Sequence, residues 1–167
     1  MSSLVENELV RKDMAILQAD MVIREVKEVA AAGSSREKIL HAAAEGIRKA
    51  GPPYTSVYCY MLDTDGVELV LEAFAGRPTE HTKIKVGNGV CGMAVALGLD
   101  QNVPDVSAFS GYIACNLYTL SELVVLIRRT DGSIIGQIDI DSDHPDPFTS
   151  QEHASVRLVA DALGALL

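Results

Sequence analysis

Ser121-Glu122-Leu123-Val124-Val125-Leu126-Ile127-Arg128-Arg129-Thr130-Asp131-Gly132-Ser133-Ile134-Ile135-Gly136-Gln137-Ile138-Asp139-Ile140-Asp141 reads as a β-hairpin. Two aliphatic runs, Glu122 to Arg129 and Ile134 to Asp141, flank Asp131-Gly132, a pair suited to the positive φ of a tight turn. Upstream the arrangement repeats: Tyr54 to Leu62 and Val67 to Ala75 flank Asp63-Thr64-Asp65-Gly66, and Lys83 to Val86 has the makings of a short strand. Helical patterns lie at both ends. Leu4 to Ala32 contains neither Pro nor Gly, and Leu9, Ile16, Ile23 and Ala30 recur every seven residues with Val5, Ala19 and Val26 beside them. Ser34 and Glu37 have the spacing of a capping box for a second helix, which Gly51-Pro52 would stop. Gly87-Asn88-Gly89 forms a turn into a short helix, Val90 to Leu97, closed by Gly98. Asn102 to Leu120 is irregular, and Thr149 with Glu152 caps a last helix that runs to Leu166. Hairpins between terminal helices predict an α+β fold, with a central, mostly antiparallel sheet of about five or six strands. Residues 1–33 would be an N-terminal helix that either packs on its own domain or forms a dimer seam, and 34–167 the domain proper.

A chain of 167 residues, 48% of them hydrophobic, can bury a real core as one domain. The formal net charge of −9 argues against nucleic acid and against an anionic membrane surface, both of which require basic residues. No apolar run approaches the roughly 20 residues of a bilayer span. Charged residues precede any apolar run at the N-terminus, so no secretory signal is expected and a cytoplasmic location follows. Three cysteines are too few, and odd in number, for a disulfide scaffold, and no Cys-x-x-Cys or Cys/His cluster reads as a zinc site. No bound metal or cofactor is expected. His41, His81, His144 and His153 are scattered and read as surface residues.

Two cysteines and three acids stand out chemically. Cys91, in Gly89-Val90-Cys91-Gly92, falls near a helix N-terminus, where backbone N–H groups favour a thiolate. Cys115 falls in the irregular stretch, and Cys59 in a strand, where it reads as structural. Taken alone, a cysteine among small and apolar neighbours is more often a buried structural residue than a reactive one. Asp139 and Asp141, two apart in a strand, share a face. Either they are solvated or capping at a sheet edge, or they form a site for a cation or a proton donor. Glu122 opens the partner strand and can reach the same end of the sheet.

Five fragments then occur in order: Gly89-Val90-Cys91-Gly92-Met93-Ala94, Asn102-Val103-Pro104-Asp105-Val106, Gly111-Tyr112-Ile113-Ala114-Cys115, Ser121-Glu122-Leu123-Val124-Val125 and Gly136-Gln137-Ile138-Asp139-Ile140-Asp141-Ser142. From about Tyr54 onward the chain resembles the free methionine-R-sulfoxide reductases, a family built on the GAF domain. The resemblance implies a catalytic nucleophile at Cys115 and a resolving cysteine at Cys91. It implies substrate-holding and protonating acids at Glu122, Asp139 and Asp141, and a pocket aromatic at Tyr60. The substrate would be free methionine sulfoxide, and a thioredoxin-like partner fed by NADPH would recycle the enzyme.

The chain departs from that pattern at several positions. The His and Asp that flank the family's catalytic Ile-Ala-Cys are Tyr112 and Asn116 here, so the substrate contact at Asn116 carries no charge. Ser56 stands about where the family has a pocket tryptophan, His81 where it has a third cysteine, and Leu126 where it has a proline. The competing reading is a non-catalytic GAF module that senses a small ligand and signals through its first helix. In either case the stripe along that helix suggests a homodimer.

Overall fold

The computed structural model describes residues 16–113 and 117–167. Its elements in chain order are α1 (Ala19–Ala31), α2 (Arg36–Arg48), β1 (Ser56–Leu62), β2 (Glu68–Ala75), β3 (Lys83–Lys85), α3 (Gly89–Leu97), β4 (Gln101–Val103), a 3-10 turn (Val106–Ala108), β5 (Ser121–Arg128), β6 (Ile134–Ser142) and α4 (Ser150–Leu166). Six strands form one sheet in the order β3-β2-β1-β6-β5-β4, and every neighbouring pair is antiparallel. The α+β expectation therefore holds, as do both Asp-Gly hairpins.

The three central strands, β1, β6 and β5, are covered on both faces. Side chains alternate between the faces of a pleated strand, so each strand serves two interiors. Val57, Cys59, Met61, Leu123, Val125, Ile127, Ile138 and Ile140 point into the main core, which α1, α2 and α4 close with Val22, Val26, Leu40, Ile47, Val156, Val159 and Leu163. Burying such a side chain contributes roughly 1.5–3 kcal/mol relative to leaving it exposed. The opposite face carries Tyr58, Tyr60, Leu69, Val124 and Leu126 and is covered by Val90, Cys91 and Ala94 of α3. The carboxylates of interest alternate onto this second face.

Local signals account for the ends of the elements. Thr149 and Glu152 make the expected capping box. Gly98, at φ 65°, takes the left-handed cap of α3 that a residue with Cβ rarely adopts.

Three expectations are corrected. The first helix does not run through residues 16–18. It begins at Ala19, with Gln18 as N-cap, and residues 1–15, with Val5 and Leu9, lie outside the described residues. Its buried side is Ala19, Val22 and Val26, whereas Ile16 is 49% exposed and Ile23 only partly buried. The stripe is rotated because α2 and α4 take the Val22 side. Ser35, not Ser34, caps α2, accepting from the Lys38 amide at 3.4 Å. The stretch Asn102 to Leu120 is less irregular than expected at its start, because Gln101–Val103 pairs as an edge strand and sets Val103 opposite Glu122.

The position of α3 depends on Gly92. A Cβ there would lie 2.3 Å from the Lys85 carbonyl oxygen and 3.0 Å from the Gly87 nitrogen, and the Gly87 amide donates to the Gly92 carbonyl at 2.8 Å. Gly92→Ala is expected to push α3 off the β3 turn at a cost of roughly 1–3 kcal/mol, lowering the melting midpoint by roughly 2–4 °C per kcal/mol. A thermal melt followed by circular dichroism with an unchanged midpoint would show that the turn yields freely.

Candidate active site

Three elements meet at one end of the second face. The first turn of α3 brings Cys91, the start of β5 brings Glu122, and the end of β6 brings Asp139 and Asp141. The register of the central strands does the positioning: Glu122 lies opposite Asp141, and Val124 opposite Asp139. On the other side of β6, Tyr58 lies opposite Asp139 and Ser56 opposite Asp141. The Cys91 thiol donates to Glu122 Oε1 at 3.7 Å. One donor atom from each of Cys91, Glu122 and Asp139 falls within 4.8 Å of the others. Asp141, one pleat further along, accepts a 3.0 Å hydrogen bond from Thr119 Oγ1.

None of these acids is solvated. Glu122, Asp139 and Asp141 are 3%, 0% and 1% exposed. The sheet-edge reading of the two aspartates is therefore overturned, because β6 is a central strand covered by α3 and its neighbouring loops. Burial penalises a charged carboxylate, and each charge penalises the next. Glu122 is held well above the usual carboxylate range, first by burial and then by the charges of Asp139 and Asp141. Asp139 is pushed up to about 6 by burial, with the neighbouring Glu122 and Cys91 acting the other way. Asp141 is also raised well above the ordinary range, by burial and then by Asp139, while Thr119 and the charge of Arg77 act the other way. The Arg77 guanidinium itself is engaged by Asp143, at 2.7 and 2.6 Å. These surroundings favour the protonated form of Glu122, which is the form a general acid needs.

The burial of these acids has a measurable consequence. The folded-state pKa of Asp139 lies above its ordinary value, so between about pH 4 and 6 the folded state binds more protons than the unfolded chain. Stability conferred by this group is therefore lost as pH rises through that window. Asn cannot ionise, so the stability of Asp139→Asn relative to wild type, in EDTA, is expected to climb across it and level off at on the order of 3 kcal/mol. Urea unfolding of both proteins at a series of pH values reads this directly. A difference independent of pH would show that Asp139 does not titrate as described.

The remaining residues sort by face and loop. Tyr60 is fully buried on the site's face but opposite Gln137 rather than an acid, and its hydroxyl donates to the His81 carbonyl at 2.8 Å. His81 thus enters through its backbone. Cys59 is on the other face, fully buried, its thiol donating to the Leu40 carbonyl at 3.6 Å, and burial pushes it up to about 12. Cys115 and Asn116 lie outside the described residues. Sequence reasoning missed Thr119, the partner of Asp141, and Gln137, which is fully buried on the same face as Asp139. An alternating strand pattern could have flagged Gln137; Thr119 carries no signal. A cleft of only about 10 Å³ reaches Cys91 and Glu122 between Ile84, Asn88, Gly89, Val90 and Ile113. That is narrower than the roughly 300–1,000 Å³ usual for small-molecule pockets. Larger surface depressions, such as the one between α1 and α2 lined by Met21, Val22, Gly46 and Lys49, contain no comparable cluster.

Known proteins resemble this chain in sequence and in fold. The free methionine-R-sulfoxide reductase of Escherichia coli (strain K12) is 39% identical over 106 residues, which make up 64% of this chain and 63% of that one. The chain spans less than two thirds of the length of the curated relatives it matches. Among solved structures, the type II free methionine-R-sulfoxide reductase of Thermoplasma acidophilum superposes with a TM-score of 0.74 at 36% identity, covering 84% of this chain and 94% of that one. The free methionine-R-sulfoxide reductase of Neisseria meningitidis, solved with its substrate, gives 0.77 at 33% identity over 87% and 86% of the two chains. The GAF domain model matches residues 35–167. By this match and its fold, the chain belongs to the GAF domain family.

Proposed function

We propose that this protein reduces free methionine-R-sulfoxide to methionine through two cysteines. The observation that carries the reading is the buried group of Cys91, Glu122 and Asp139, with Asp141 one pleat away, in a chain similar to reductases of that substrate. In the mechanism, the Cys115 thiolate attacks the sulfoxide sulfur. The S–O bond breaks, the oxygen passes to Cys115 as a sulfenic acid after protonation by Glu122, and methionine leaves. Cys91 then condenses with the sulfenic acid, releasing water and forming a disulfide. A thioredoxin-like dithiol exchanges with that disulfide and carries away the two electrons' worth of oxidation.

The acids also explain a preference for the free amino acid. Three buried carboxylates suit an α-ammonium group, which a methionine inside a peptide lacks. Asp139 and Asp141 would hold it, with Asn116 as a neutral contact and Tyr60 closing the floor. We further propose that the protein works in the cytoplasm, where such a reductant is found, and as a homodimer whose seam includes α1. Among the described residues, no helix is long and apolar enough to cross a membrane. A monomer at high concentration by light scattering would remove the dimer.

The test is turnover of free methionine-R-sulfoxide with thioredoxin, thioredoxin reductase and NADPH, against the S epimer and a peptide-bound sulfoxide. Turnover confined to the free R epimer supports the proposal, and none with any sulfoxide overturns it. The second reading, a ligand-sensing GAF module, draws on the narrow cleft and the missing tryptophan. It predicts ligand-induced thermal stabilisation without NADPH consumption.

A further inference from the structure

We propose that Cys91, Glu122 and Asp139 form a binding site for a thiophilic divalent cation, Zn²⁺ in particular. The three donors come from three separate elements, α3, β5 and β6, and their atoms lie within 4.8 Å of one another. Around a tetrahedral Zn²⁺, with Zn–S about 2.3 Å and Zn–O about 2.1 Å, a sulfur and an oxygen ligand stand about 3.6 Å apart. The Cys91 Sγ to Glu122 Oε1 separation is 3.7 Å. One edge of the coordination tetrahedron is thus already formed, and the others need a contraction of at most about 1.4 Å.

Charge and ligand type point the same way. Fully deprotonated, the thiol and two carboxyls would hold three negative charges in a region with almost no solvent, and a divalent cation that displaces their protons removes most of that repulsion. Sulfur selects Zn²⁺ over Mg²⁺ or Ca²⁺, which prefer all-oxygen shells. A second observation is independent of these ligands. The Gln137 side chain is fully buried on the same face of β6, one pleat from Asp139, and neither its amide nitrogen nor its oxygen has a hydrogen-bond partner among the described residues. With three protein ligands, Zn²⁺ keeps a fourth position for water, on the face of the sheet that carries the unpartnered Gln137 amide. The cleft between Asn88, Gly89, Val90 and Ile113 provides the way in.

The site does not depend on the reductase reading, since it is a property of the reduced protein without substrate. If both hold, the metal occupies the resolving cysteine and stalls recycling. The experiment uses the full chain, reduced and freed of metal, titrated with Co²⁺ as a spectroscopic stand-in for Zn²⁺. One Co²⁺ per chain is expected, with a thiolate-to-cobalt charge-transfer band that Zn²⁺ displaces and Mg²⁺ does not. Cys59→Ser should keep the band and Cys91→Ser should lose it. Asp139→Asn, a near-isosteric change that guards against misfolding of the cysteine variant, should weaken binding by more than about 100-fold, beyond the cost of an outer-shell contact. A wild type without the band, a band that survives in Cys91→Ser, or an Asp139→Asn affinity equal to wild type overturns the site. Sulfoxide turnover is measured separately in EDTA, so either proposal can fail while the other stands.

Discussion

Glu122→Gln is expected to slow turnover of free methionine-R-sulfoxide by a factor of about 100 to 10,000, the usual worth of a positioned general acid. At pH 8 it is also expected to raise the melting temperature of the metal-free protein. The two effects have one origin. Glu122 is buried beside Asp139 and Asp141, and those surroundings favour its protonated form more than the unfolded chain does. A group whose folded pKa is raised loses its stabilising contribution as pH rises, so a neutral amide of the same size spares that cost. The same amide cannot protonate the departing sulfoxide oxygen. Because Gln conserves shape and can still donate toward Asp139, KM should move much less than kcat. Steady-state kinetics and melts at pH 6 and 8 make the test. A variant that loses both activity and stability would mean that Glu122 is a structural partner of Cys91 rather than an acid.

Cys115→Ser is expected to abolish turnover, since a hydroxyl does not replace a thiolate as nucleophile toward sulfur. Cys91→Ser should differ in kind. It should release about one methionine per chain and then stop, leaving Cys115 as a sulfenic acid that mass spectrometry detects as one added oxygen. Cys59→Ser should turn over at close to the wild-type rate, because that thiol faces the opposite core and donates to the Leu40 carbonyl. Full turnover by Cys115→Ser would end the two-cysteine mechanism. Sustained turnover by Cys91→Ser would transfer the resolving role to the external reductant.

How much of this was legible in the chain depends on the range of the interaction. The Asp-Gly turns, Gly98 and the Thr149–Glu152 box act within four or five residues, and each lies where the sequence put it. The shared face of Asp139 and Asp141 is likewise a local matter of strand pleat. The ordered fragments from Gly89 to Ser142 carried the resemblance to the reductases. What the sequence could not specify is which side of an element meets a neighbour. Ser35 displaced Ser34, and α1 turned Val22 rather than Ile23 fully into the core, because α2 and α4 pack on that side. The same limit applies to the site. Cys91 and Glu122 are 31 residues apart and match no metal-binding spacing, yet their side chains touch at 3.7 Å. The fate of the aspartates, solvated or buried, was open until the strand order placed β6 between β1 and β5. Strand order is a long-range result of burying two apolar faces at once. It made three ordinary acids into a desolvated group that resists ionisation.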